Sequence, residues 1–331
     1  MSLQLPASIH VLERGWLSAN NILFLEGENA TLVDSGYVTH AAQTVELVGK
    51  MLDGRRLKRL INTHSHSDHI GGNAALKSAY GCEIIVPAGL HAAIADWDEN
   101  ALLLSPLGQQ SARFQHDSLL GANNEIEMGG LNWQTLAVPG HDMEALGYYN
   151  PEKRILISGD ALWENGFGVI FPELLGEADG LNSTRATLEM LAKLPIDIVI
   201  PGHGSPFAAV DLAFERAFRR LDTFTADIDK LAWHAIKVIV SFAMMEKRRL
   251  PQADFPAFIL SLPFVGAMSW FIAGKPSRKE LAHAVMTGRL VTQPLRYDSS
   301  RYLAPDDDDA WLRTLTPKRP VRTDGDSEAA A

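Results

Sequence analysis

Three imidazoles and a carboxylate fall within six residues, His64-Ser65-His66-Ser67-Asp68-His69, just after Leu57 to Ile61, which reads as a strand. Packed together without a shared cation, these groups would compete for hydrogen bonds and accumulate charge. The spacing therefore points to a metal, and imidazole nitrogen with carboxylate oxygen suits zinc first, then iron or manganese. The same feature constrains the fold. A buried strand running straight into a ligand loop belongs to layered α/β proteins, whose sites gather where strands end.

Four side chains cannot complete two metal sites, so further ligands are expected at later strand ends. Three residues share that setting: His141 in Val138-Pro139-Gly140-His141, Asp160 in Ile157-Ser158-Gly159-Asp160, and His203 in Ile200-Pro201-Gly202-His203-Gly204. His10, His40, His91, His116, His234 and His283 have no such context and read as ordinary surface or core histidines.

The first two hundred residues alternate strand-like and helical runs. Asn21 to Leu25 and Ala30 to Val33 flank a turn at Glu26-Gly27-Glu28-Asn29, a hairpin signal. His40 to Leu52 carries apolar residues at helical spacing. Ile84 to Val86 reads as a strand, and Pro87 as the first turn of a helix. Two strands are expected around Gly129-Gly130, and a second hairpin around Asn150-Pro151-Glu152-Lys153. Leu181 to Leu194 reads as an amphipathic helix capped by Asn182 or Ser183, and Ile196 to Ile200 as a last buried strand.

From Val210 the texture changes to helix. One segment runs to about Lys230 and a second from Leu231 to Lys247. Another helix starts at Ser277 and ends near Thr287-Gly288, and two short strands follow, Arg289 to Thr292 and Arg301 to Leu303. Helices followed by a β-hairpin suggest a winged-helix-like module. The expected division is a catalytic domain over 1–210, a smaller helical domain over 211–315 and a disordered tail over 316–331.

Composition narrows the partners. The net charge of −10 disfavours a phosphate backbone, so nucleic acid is not the expected partner. The single cysteine, Cys82, permits no intrachain disulfide and reads as a core thiol in a reducing compartment. Met1 to Trp16 has neither the basic nor the apolar region of a secretory signal, so a cytoplasmic location is expected. Phe255 to Gly274 carries no charge, but its prolines and serines favour a buried or dimer-facing helical segment over a membrane span.

Together, Asn62 to Gly72, Val138 to His141, Ser158 to Asp160 and Pro201 to His203 resemble the ligand motifs of the metallo-β-lactamase superfamily, in the expected order, over about residues 8 to 210. The resemblance implies a four-layer αββα sandwich and two divalent metal ions. His64, His66 and His141 would hold one ion, Asp68, His69 and His203 the other, and Asp160 would bridge them. Asp34, in Leu32-Val33-Asp34-Ser35-Gly36, matches a family acid that orients a ligand histidine. A bridging aspartate is a feature of the thioesterases, lactonases and phosphodiesterases of this fold rather than of its true β-lactamases. One departure stands out. Many of those thioesterases read His-Thr-Pro-Gly-His at the third ligand, and this chain reads His141-Asp142-Met143-Glu144-Ala145.

The expected activity is hydrolysis of a small ester, thioester or lactone by metal-activated water, with Asp68 orienting that water or moving its proton. Trp163, Phe167 and Phe171, in the aromatic loop after Asp160, are candidates to line the substrate pocket. Two rival readings differ in what they require. A phosphodiesterase or nuclease would need a basic track, for which Arg216, Arg219, Arg220, Lys247, Arg248 and Arg249 are the available residues. A non-catalytic metal-sensing regulator would not need the full ligand set. The helical C-terminal region is expected to serve as a pocket lid or a homodimer contact.

Overall fold

Alternation of side chains sorts the strands into two sheets packed face to face. The computed structural model describes residues 4–176, 179–268, 272, 276–277, 279–280, 296–298 and 301–303. The first sheet runs in order β1 (Ile9–Leu12), β2 (Asn21–Glu26), β3 (Asn29–Val33), β4 (Arg56–Ile61), β5 (Glu83–Pro87) and β6 (Ser118–Leu120). Its first three strands pair antiparallel and the rest pair parallel. The second sheet contains β7 (Glu125–Met128), β8 (Leu131–Ala137), β9 (Leu146–Asn150), β10 (Ile155–Gly159) and β11 (Ile198–Pro201), in spatial order from β11 back to β7. Only β10 and β11 pair parallel in it.

Successive strand residues point to opposite faces, and the core follows that rule. Ile22, Phe24 and Ile61 meet Trp133, Ile155 and Ile157 between the sheets. Leu23, Leu32, Leu60 and Ile84 face outward, onto Val48 and Leu52 of the helix Ala41–Leu52 and Leu76 of the helix Asn73–Tyr80. On the far side, Tyr149, Leu156 and Val199 face Leu188 and Leu191 of the helix Gly180–Leu191. Helix, sheet, sheet and helix are thus the four layers. A one-residue slip in any of these strands would exchange its faces.

The helices Val210–Ala226 and Ile228–Lys247 share that outer cluster. Phe214, Leu221, Ile236 and Ile239 pack into it beside Leu156 and Leu188. The first part of the uncharged segment, up to Met268, forms two short helices, Phe255–Ser261 and Pro263–Met268, which bury Phe255, Ile259, Phe264 and Met268 in the same cluster. No helix among the described residues is long and apolar enough to cross a membrane. Beyond the helices, β12 (Arg249–Pro251), β13 (Arg296–Asp298) and β14 (Arg301–Leu303) form a small antiparallel sheet with β14 in the middle. The expected strand Arg289 to Thr292 and the tail over 316–331 lie outside the described residues.

Local expectations shift in three places. Pro87 ends β5 instead of opening a helix, and a 3-10 turn, Ala88–Leu90, intervenes before the helix His91–Asp96. The helix at 180 has no side-chain cap from Asn182 or Ser183; Glu173 instead accepts the Leu181 N–H at 3.1 Å. Asp227, with extended backbone, breaks the long helical stretch at Ala226.

Candidate metal centre

In the second sheet β8 and β10 run in the same direction, because each is antiparallel to β9, and β11 is parallel to β10. The loops that follow all three therefore leave from one end of the sheet. The loop after β4 meets them there, and the side chains of the histidine cluster, His141, Asp160 and His203 converge. Ligand-type atoms of His64, His66 and His141 lie within 4.8 Å of one another; so do those of Asp68, His69 and His203, and those of His64, His69 and Asp160.

The carboxylate of Asp160 lies between the groups. Its Oδ1 is 3.5 Å from His69 Nε2, and its Oδ2 is 3.4 Å from His141 Nε2 and 3.8 Å from His203 Nε2. Asp68 Oδ2 is 3.0 Å from His203 Nε2. His66 Nδ1 and His141 Nε2 face each other across 2.7 Å.

Hydrogen bonds from behind set the tautomers. The Thr63 hydroxyl donates its one proton to Asp34 Oδ2 at 2.8 Å. It must then accept from His64 Nδ1 at 3.0 Å, which leaves the His64 Nε2 lone pair inward. His69 Nδ1 donates to Asp34 at 2.8 Å, and His141 Nδ1 donates to the Val169 carbonyl at 2.5 Å. The second ring nitrogens of His64 and His69 are buried with no hydrogen-bond partner. Buried polar atoms are seldom left unpaired, and an inward imidazole lone pair is what a cation takes. The donor set fits a metal.

Charge agrees with that reading. Burial holds His66 and His141 down to about 4; His69 adds to it for His66, and His66 adds to it for His141. Both are neutral at ordinary pH, the form that ligates. Burial opposes charge on Asp160 and Asp68 too, yet the surrounding histidines keep both carboxylates below their usual range. Burial would also discharge His69, but Asp34, Asp160 and Asp68 hold its ring well above the usual value. Such mutual dependence of protons is what a bound cation would replace.

Above the cluster opens a cavity of about 350 Å³. Trp163 and Phe171 line it; Trp163 Nε1 donates to Asp160 Oδ1 at 3.2 Å, and Phe171 lies 5.6 Å from both His66 and His141. Phe167, expected beside them, is turned into the core against Phe224, with ring centroids 6.4 Å apart. Asp142, in the segment that departs from the thioesterase motif, is half-buried and accepts the Glu144 N–H at 2.7 Å.

Several cavity residues carried no signal in the sequence. Trp16 stacks on His203 with 4.9 Å between ring centroids and 9° between planes. Val238, Ile239, Phe242 and Met245, all on the helix Ile228–Lys247, form the opposite wall, and Arg220 and His234 sit on the same side. Their spacing announced a helix with an apolar face, and nothing in it told a cavity wall from core.

Comparisons with known proteins place this geometry. The family model described as the metallo-beta-lactamase superfamily matches residues 14–203. Among curated relatives, the hydroxyacylglutathione hydrolase of Ectopseudomonas mendocina is 34% identical over 115 residues, 35% of this chain and 37% of that protein. The hydroxyacylglutathione hydrolase GloC of Haemophilus influenzae is 28% identical over 201 residues, 56% of this chain and 84% of its own. Other matched hydroxyacylglutathione hydrolases are spanned for only 38% to 47% of their length. Among solved structures, a metallo-beta-lactamase family protein from Thermus thermophilus superposes with a TM-score of 0.57 at 18% identity, covering 91% of this chain and all of the other. The metallo-beta-lactamase FEZ-1 from Legionella gormanii gives 0.53 at 14% identity, covering 68% and 94%. These two likenesses carry the fold. With the family model spanning more than half the chain, the conclusion is that this chain belongs to the metallo-beta-lactamase superfamily.

Proposed function

We propose that the chain hydrolyses a small thioester, ester or lactone at a two-metal centre, with a thioester as the first choice. The observation that carries this is Asp160, whose two oxygens reach towards histidines of both clusters. In this reading His64, His66 and His141 hold one ion, Asp68, His69 and His203 hold the other, and Asp160 bridges. Zinc is the first candidate for both, with iron or manganese as alternatives. The names of the curated relatives, hydroxyacylglutathione hydrolases, support a thioester.

A pair of divalent ions, when bound, lowers the pKa of water towards neutrality and polarises an ester oxygen. The protein's own residues do the rest. Asp68 orients the attacking water and carries its proton to the leaving group. Asp34 and Val169 keep the Nδ1 protons of His69 and His141 away from the centre. Trp163 holds Asp160 by its indole N–H. The apolar wall of Phe171, Val238 and Phe242 excludes bulk water from the reacting groups.

A nuclease reading finds little support. Of the six basic residues available for a track, Arg220 is the one that lines the cavity. The winged-helix-like reading of the C-terminal region, the division near residue 210, a homodimer and a cytoplasmic location stand as part of the same proposal.

Metal analysis of the purified full chain, with a panel of thioesters, lactones and phosphodiesters, tests the activity. Two ions per chain and turnover of a thioester or lactone, both lost in Asp160→Ala, are expected. Turnover of phosphodiesters alone would overturn the substrate class.

A further inference from the structure

Arg220 is a cation of the cavity that the chemistry above does not use. It lies on the helix Val210–Ala226 and faces the same space as the metal cluster. Among the described residues no hydrogen bond or ion pair engages its guanidinium. Its sequence neighbour Arg216 is occupied elsewhere, donating to the Glu164 carbonyl at 3.0 Å.

The fold makes room for this side chain. Trp163 and Gly166 close a tight turn by exchanging backbone hydrogen bonds of 2.6 and 3.3 Å. A Cβ on Gly166 would stand 2.6 Å from Arg220 Nη1 and 2.8 Å from its Cζ. Glycine at 166 therefore lets the guanidinium lie directly against the loop that carries Trp163. Among the described residues no carboxylate pairs with it there. His234, on the facing helix, is held neutral with a pKa of about 3, by burial first and then by Arg220 and Lys237. Glu164, the exposed carboxylate of the same loop, forms no ion pair with Arg220.

Withdrawing a guanidinium from water without a partner costs free energy. Its planar fork of donors matches the oxygens of a carboxylate or phosphate. Around it the cavity is lined by Val169, Phe171, Val238, Phe242 and Met245. We propose that Arg220 binds an oxyanion group of the substrate, so that this hydrolase selects molecules with an apolar body and a carboxylate or phosphate. This rests on reading the cavity as the substrate site.

Isothermal calorimetry on the metal-loaded full chain tests it, with octanoate, octyl phosphate and octanamide as probes. Carboxylates and phosphates can also touch the metal ions, so the readout is the difference between wild type and variant. Arg220→Met should weaken the two oxyanions by at least about tenfold and leave octanamide within about twofold. Arg220→Lys should lose less, since it keeps the charge without the fork. Gly166→Ala keeps the arginine but displaces it, and should weaken the same two probes; it also carries the test if the methionine variant does not fold. The probe that loses more, octanoate or octyl phosphate, identifies the source of the oxyanion. Unchanged oxyanion affinity in a folded Arg220→Met chain, or an equal loss for octanamide, would overturn the proposal. Failure of the hydrolase reading is seen separately, as no turnover of any ester or thioester with this affinity difference intact.

Discussion

Asp34 accepts the Nδ1 proton of His69 across 2.8 Å while its other oxygen takes the amide of Thr63 across 2.9 Å. One buried carboxylate thus fixes both the tautomer of a candidate ligand ring and the start of the segment that carries it. Asp34 does this from a left-handed backbone position, φ 59°, which aspartate and asparagine tolerate. Asp34→Asn keeps the shape and removes the charge. Metal affinity should fall about 10- to 100-fold, read by competition with a chelating dye. Unchanged affinity would mean that the ring is held by packing alone.

Gly168 leaves space for the ring of His141. A Cβ there would lie 2.6 to 2.8 Å from three of its ring atoms. Gly168→Ala should push that ring off the Val169 carbonyl and weaken one metal more than the other, seen as a biphasic metal titration. A single phase like that of wild type would show that the loop yields instead.

Asp68→Ala, assayed in excess metal, should lower kcat about 10²- to 10⁴-fold if it handles the proton of the attacking water. Metal content must be measured on the same sample. Near-normal turnover with both ions present sinks that role.

His234 links stability to pH. The unfolded ring takes a proton near pH 6.5, whereas the folded one resists until about pH 3, because burial and the charges of Arg220 and Lys237 oppose it. Between those values the unfolded chain binds more protons. The contribution is complete above about pH 6.5 and falls away as pH drops towards 3. Between pH 7.5 and 4.5, wild type should lose more thermal stability than His234→Phe. Parallel losses would place the ring in contact with water.

How far the residues betrayed the site depends on where each sits. His64, His66, Asp68 and His69 lie in one segment after one strand, the last two in the short helix Ser67–Ile70, and His141, Asp160 and His203 each follow a strand of the same sheet. Local pattern suffices for those, and for the hairpins, because a strand end implies a direction. The cavity wall has no such marker. Trp16 reaches His203 only through the tertiary fold. Arg220 and Arg219 look alike in sequence, and only the rotation of one helix decides which faces the cavity. Phe167 and Phe171 share one loop, yet the turn of the chain after Gly166 sends the first into the core.

The helix Ile228–Lys247 is at once packing partner of the outer core and far wall of the cavity. In the proposed reading the candidate metal ligands thus end at His203, while one wall of the cavity comes wholly from the polypeptide after it. If the cavity takes the substrate as proposed, exchanges at Val238, Phe242 or Met245 would retune which molecule fits while every candidate ligand atom stays in place. A lineage could change its diet through that single rod and keep its chemistry.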